Sequence, residues 1–255
     1  MTLTDRVAIV TGGGQAAGRG YVVALAAAGA RVIVADRFED TGQETVQLVE
    51  NAGGSAQFFP VDVTDEDSTR AAARFAVETF GRLDVLVNNA ATYRATKRVP
   101  ITEMTVEQWD TTMAVFVKGP WLMSKAAIPF LAESPVPAII NQTSVAAYGV
   151  DQWLDYGTAR GAVVAMTKSM AQELAPLRIR VNAIVVGSMG MEAVALGIIE
   201  REDQMLGTAD FKRQLIPRLG TAADIAGAAV FLASEASSYM TGQSLVIDGG
   251  KFFLG

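Results

Sequence analysis

The 255-residue chain contains neither cysteine nor histidine. Those two absences remove disulfides, thiolate nucleophiles, Ser-His-Asp triads and the customary zinc sites together. No metal site is expected, and acid/base work falls to Tyr, Lys, Asp or Glu. Positive charge is also scarce: 21 Lys and Arg against 27 Asp and Glu leave a net charge of −6. A polyanionic partner needs a basic face that this balance does not supply, so nucleic acid and anionic membrane are set aside as partners. Long apolar runs are missing as well. The opening MTLTDRVAIV has no basic region ahead of a long apolar core, and the apolar residues after it are broken by Gly, Arg and Asp. That pattern predicts neither signal peptide nor membrane span, and a cytoplasmic protein is the expectation.

What is abundant is hydrophobicity, at 50% of residues, enough for one large α/β core. Short apolar runs at 6–10, 31–35, 57–63, 84–89, 138–144, 180–186 and 244–248 read as strands buried on both faces, as parallel strands are. Between them, segments 17–29, 40–52, 65–80, 106–132, 153–175 and 221–234 are rich in Ala, Leu, Glu and Gln and read as helices. Strict alternation of strand and helix gives βαβ units with right-handed crossovers. The expected fold is therefore α/β: a doubly wound parallel sheet of about seven strands with helices on both faces. No repeat, low-complexity tract or linker divides residues 1–255, so a single domain is expected.

The first strand runs into TGGGQAAGRG, residues 11–20, a glycine-dense turn that opens a helix. Glycines there permit positive φ and close approach of backbone to a pyrophosphate resting on the helix N-terminus. The second strand ends in Asp36, where a carboxylate accepts the hydroxyls of an adenosine ribose; an acid at that place favours NAD over NADP. Asp62 and Val63 end the third strand and Asn88, Asn89, Ala90 and Ala91 the fourth, at the crevice where open α/β sheets bind ligands. The fold expected is a Rossmann-type sheet, with Gly12, Gly14, Gly18, Asp36, Asp62, Val63, Asn89 and Ala90 as candidate cofactor residues.

Over essentially its whole length the chain resembles the short-chain dehydrogenases/reductases. The resemblance rests on Thr11 and Gly12 with Gly14 and Gly18, on Asp62, on Asn88-Asn89-Ala90, on Ser144 with Tyr156, on IRVNAI at 179–184 and on TGQSLVIDGG at 241–250. It implies Tyr156 as acid/base and Ser144 as holder of the substrate oxygen, with Gly187 beside the cofactor. The Ser144–Tyr156 spacing is one residue shorter than the family's usual one. Thr143 therefore stays open as the oxygen holder, although the strand-end context favours Ser144.

Several positions depart from the family pattern. Where a lysine usually follows four residues after the tyrosine stands Arg160, a planar fork that keeps its proton at every working pH. Positions i and i+4 share a helical face, so Tyr156 and Arg160 can meet, and Arg160 is the expected tuner of the tyrosine's acidity. Phe116 occupies the family's asparagine position, Met191 falls where the family has a nicotinamide-holding threonine, and Ala16 replaces the middle glycine of the turn. The adenosine half looks intact and the hydride half altered.

Three readings stay open. The first is an NAD-dependent oxidoreductase interconverting a secondary alcohol and a ketone. The second is a redox-free lyase like the halohydrin dehalogenases, a related family with a Ser-Tyr-Arg triad. The third is a nucleotide-binding protein without catalysis. The segment 187–219, rich in Met, Leu, Val and Ile, is expected to be a lid over a mid-sized apolar or aromatic substrate, with Trp153, Met189 and Met191 lining the pocket. Apolar residues around much of helices 106–132 and 153–175 match the family's subunit contacts, which implies a homotetramer.

Overall fold

The computed structural model describes residues 1–92, 97–190 and 214–252. Its elements follow the expected alternation: β1 Val7–Thr11, α1 Ala16–Ala27, β2 Arg31–Asp36, α2 Glu39–Asn51, β3 Ser55–Pro60, α3 Glu66–Phe80, β4 Val85–Asn88. There follow α4 Val106–Met113, α5 Gly119–Leu131, β5 Ala138–Ser144, α6 Leu154–Glu173, β6 Arg180–Val186, α7 Ala222–Ala233 and β7 Ser244–Ile247. The seven strands form one sheet in the order β3-β2-β1-β4-β5-β6-β7, and every pairing is parallel.

Two apolar layers sandwich this sheet. Residues of α1, α2 and α7, including Tyr21, Leu25, Val46 and Ile225, cover one face. Residues of α3, α5 and α6, including Ala72, Met123, Leu131 and Ala171, cover the other. The central strands are buried on both faces, which is why their sequences run apolar without alternation. Fully burying one such Val, Ile or Leu is worth about 1.5–3 kcal/mol.

Two boundaries differ from expectation for identifiable reasons. The third apolar run continues to Val63, but β3 stops at Pro60, whose missing N–H suits it to this edge strand and leaves Val61 to Val63 to turn over the sheet's end. The helical stretch 106–132 is interrupted by a π-helical segment, Ala114–Lys118, just ahead of Gly119 and Pro120. A π segment is an extra residue worked into a helix, commonly at a functional site. Here it carries Phe116.

The bottom of the sheet is tied by a buried carboxylate. Asp84, wholly buried, accepts hydrogen bonds from the Val7 N–H (2.9 Å), from Arg82 Nε (2.8 Å) and Nη2 (2.6 Å), and from the Ser134 hydroxyl. It joins the start of β1 to the approach to β4 and the end of α5. Asp84→Ala orphans the Val7 N–H and leaves Arg82 without its partner, and should cost about 2–4 kcal/mol in urea unfolding. A loss below about 1 kcal/mol, the scale of an exposed ion pair, would show that the tie carries no structural weight.

Candidate functional site

The upper ends of β1, β2 and β4 build the first half of the site. Thr11 closes β1, and its hydroxyl accepts from the N–H groups of Asn89 (2.9 Å) and Ala90 (3.1 Å) while donating to the Val87 carbonyl (3.3 Å). In return Asn89 Nδ2 donates to the carbonyls of Thr11 (2.9 Å) and Gly12 (3.1 Å). The glycine turn is thereby clamped to the end of β4. Gly12 takes φ +64°, and a Cβ on Gly18 would stand 1.9 Å from the Gly12 carbonyl oxygen, so no side chain fits at 18.

Asp36 is buried at the end of β2. Its carboxylate accepts from the Gly14 N–H (2.9 Å) through Oδ2 and from the Phe38 N–H (3.1 Å) through Oδ1. Arg19, which the sequence reading passed over, bridges the turn to α2. Its Nε donates to the Gly14 carbonyl and the Thr45 hydroxyl, both at 3.0 Å, and its Nη2 meets Glu44 at 2.9 Å. Above these groups lies a cavity of about 470 Å³ lined by Gly12, Asp36, Asp62, Val63, Asn89 and Ala90 among others. Gly14, Gly18 and Gly187 are not among its lining residues. Gly187 donates its N–H to the Ile247 carbonyl (3.0 Å), and a Cβ there would collide with Asp248, so it serves the β6–β7 approach.

Asp62 is held in place by Thr64, whose N–H (2.9 Å) and hydroxyl (2.7 Å) donate to Oδ1. Partial burial pushes its carboxyl upward, but the two Thr64 hydrogen bonds outweigh this, with help from Arg37 and Lys118, so the group sits below its ordinary value. Arg37 faces this carboxylate at 3.8 Å.

The second half is an aromatic stack at the start of α6. Tyr156 is buried; the Trp153 ring lies nearly parallel to it at 4.2 Å between centroids, and Phe116 meets it edge to face at 5.4 Å. Arg160, only 2% exposed, lays its guanidinium over both rings: Cζ is 4.2 Å from the Phe116 centroid and 4.8 Å from that of Tyr156. One Nη donates to the Gln142 carbonyl on β5 at 3.1 Å. Tyr156 and Arg160 thus do share a face of α6, but the contact runs to the ring and not only along the helix surface. Phe116 supplies the second aromatic wall for the cation.

At the end of β5 the two candidate hydroxyls part company. Thr143 is buried and donates to the Arg160 carbonyl at 2.8 Å. Ser144 is half-buried, and its hydroxyl accepts from the Ala146 N–H at 3.2 Å. Met189 packs against the α1/α7 core layer and pairs with Gly220, away from the Trp153–Tyr156 group. Met191 and most of the 187–219 segment lie outside the described residues. Among the described residues no cluster of carboxylates suits a metal ion, and no helix is long and apolar enough to cross a membrane.

Residues 14–251 match the family model described as enoyl-(acyl carrier protein) reductase. A short-chain reductase protein of Streptomyces niveus is 37% identical over 250 residues, covering 97% of this chain and 94% of that protein. The chain belongs to the short-chain dehydrogenase/reductase family. Another relative, trans-4-hydroxycyclohexanecarboxylate dehydrogenase of Sinomonas cyclohexanicum, is 35% identical over 256 residues, with 98% and 93% covered. A solved structure from Sinorhizobium meliloti 1021, described as a short-chain alcohol dehydrogenase, shares 35% identity and superposes with a TM-score of 0.91 over 98% of this chain and 97% of that one. This short-chain dehydrogenase/reductase is therefore an oxidoreductase, and its family implies a nicotinamide cofactor. The residues fit one: the turn admits no Cβ at Gly18, and the cavity above it ends on the Asp36 carboxylate.

Ala16 opens α1 at φ +49°, a left-handed conformation that costs an L-residue about 1–2 kcal/mol. Ala16→Gly should raise the urea-unfolding free energy by about 0.5–1 kcal/mol, the relief of strain less the added freedom of the unfolded chain. Gly18→Ala, which drives a methyl into the Gly12 carbonyl, should abolish nucleotide binding. A stabilising effect of Gly18→Ala, or a destabilising one of Ala16→Gly, would contradict the turn geometry.

Proposed function

We propose that this enzyme is an NAD-dependent oxidoreductase interconverting a secondary alcohol and a ketone on a mid-sized apolar or aromatic substrate, working in the cytoplasm as a homotetramer. The observation that carries the reading is the Asp36 carboxylate lining the cavity above the glycine turn. A carboxylate there suits ribose hydroxyls and repels a 2′-phosphate; the neighbouring Arg37, which also lines the cavity, lies 3.8 Å from the Asp62 carboxylate. Candidate cofactor residues are Gly12, Gly14, Gly18, Asp36, Asp62, Val63, Asn89, Ala90 and Gly187.

When bound, the nicotinamide supplies the hydride. Tyr156 gives its proton to the carbonyl oxygen in reduction and takes it back in oxidation, while Ser144 holds that oxygen by a hydrogen bond. Ser144 is favoured over Thr143 because the Thr143 hydroxyl is committed to the Arg160 carbonyl. Arg160 keeps a permanent positive charge against the Tyr156 ring. Trp153 and Met191 are the proposed pocket residues, Met189 being engaged by the α1/α7 layer. The relative named for a hydroxy-substituted cyclohexane supports a ring-bearing alcohol. Exposed Val106, Trp121 and Leu154, on α4, α5 and α6, support subunit contacts through those helices.

The buried arginine favours a second reading, a redox-free halohydrin-dehalogenase-like lyase using the same triad. NADH titration followed by nicotinamide fluorescence, an aryl-ketone panel with NADH, and halide release from an aromatic halohydrin separate the two. NADH binding with ketone-dependent oxidation at least about 100-fold faster than in Tyr156→Phe is expected. Halide release without NADH binding would overturn the redox reading. NADH binding with no rate above Tyr156→Phe would leave a nucleotide-binding protein without catalysis.

A further inference from the structure

The residue just before Tyr156 is a carboxylate with no place in the chemistry above. Asp155 is wholly buried in the first turn of α6. The helix N-terminus favours its charge, but burial of a carboxylate is costly unless it is well paired. One oxygen, Oδ2, accepts from Thr112 Oγ1 (2.7 Å) and Gln108 Nε2 (3.0 Å), both on α4, and the other has no hydrogen-bond partner among the described residues. Two hydrogen bonds to one neighbouring helix thus carry the tie.

That tie reaches further. Gln108 Nε2 also donates to the Lys97 carbonyl at 2.8 Å. Two residues on, the Val99 N–H donates to the Gln152 carbonyl at 2.7 Å, and between them Arg98 sets its guanidinium 4.9 Å from the Trp153 ring. Residues 97–99 are therefore fastened at three points across the start of α6. Beneath them Trp153 lies flat on Tyr156. The order from outside to inside is Arg98, Trp153, Tyr156, then Arg160 against Phe116.

We propose that Asp155 and Gln108 are positioning residues: through the 97–99 strap they press Trp153 onto Tyr156 and so fix the phenol ring for proton transfer. The proposal rests on Tyr156 as the acid/base. It acts through hydrogen-bond geometry and not through charge, because Asn at 155 keeps an oxygen for both donors, whereas Ala keeps neither. Gln108 is half-buried, so Gln108→Met removes both donations while keeping the side chain's length, and serves should Asp155→Ala fail to fold.

The test uses the full chain with Trp109→Phe and Trp121→Phe, leaving Trp153 as the sole indole. Asp155→Ala and Gln108→Met should shift Trp153 emission to the red and increase its quenching by acrylamide, and Asp155→Asn should do neither. With NADH and the fastest ketone, Asp155→Ala should lower kcat about 30-fold, since small misplacement of a reacting group is expensive, with KM for NADH unchanged. Asp155→Asn should restore kcat to within about threefold, less than the effect of one lost neutral hydrogen bond. Unchanged Trp153 emission in both Asp155→Ala and Gln108→Met overturns the proposal, as does Asn failing to rescue Ala. If Tyr156→Phe keeps wild-type activity, the acid/base reading fails on its own, and the emission arm still decides whether the clamp exists.

Discussion

A cation buried at 2% exposure has to find partners, and the partners Arg160 finds organise the proposed substrate half of this enzyme. An uncompensated buried charge costs several kcal/mol. Here the guanidinium donates to the Gln142 carbonyl and lies over two aromatic faces, Phe116 and Tyr156. A planar, weakly hydrated guanidinium stacks on rings in a way a compact ammonium does not. Two of the departures from the pattern that the resemblance implies, arginine for lysine and phenylalanine for asparagine, are thus halves of one contact. An asparagine at 116 would leave the cation one ring short.

The nucleotide half depends on a different constraint, the reciprocal clamp between Thr11 and Asn89. Because β4 pairs with β1 on the side opposite β2, the strand order reverses there, and a crevice opens above the sheet. The glycine turn fills one wall and Asn89 with Ala90 the other. Asp36 stabilises the turn through Gly14 as well as presenting a carboxylate to the cavity. The stack around Tyr156 is built on α6 and the π segment, with β5 giving the Gln142 carbonyl.

Much of this was legible in the chain. Strands buried on both faces announce themselves as apolar runs, and Asp36 and Asn89 stood at strand ends where the fold does place them at the cavity. The ends of elements were harder: PVDV continues the apolar run past β3 although Pro60 ends it, and nothing in 106–132 marks the π segment. From their position after β6, Gly187 reads as a cofactor residue and Met189 as a pocket residue; in the fold Gly187 packs against Asp248 and Met189 against Gly220. Asp155 carried no signal at all. Its partners Thr112 and Gln108 lie 43 and 47 residues away, and only the packing of α4 on α6 brings them together.

The central physical claim is that Arg160 and Phe116 are energetically coupled. A double-mutant cycle with Arg160→Met, Phe116→Leu and the pair, read as urea-unfolding free energies, measures that coupling without knowledge of the substrate. A guanidinium desolvated over an aromatic face should give a coupling of about 1–2 kcal/mol. Additivity within about 0.3–0.5 kcal/mol, the behaviour of independent sites, would contradict it.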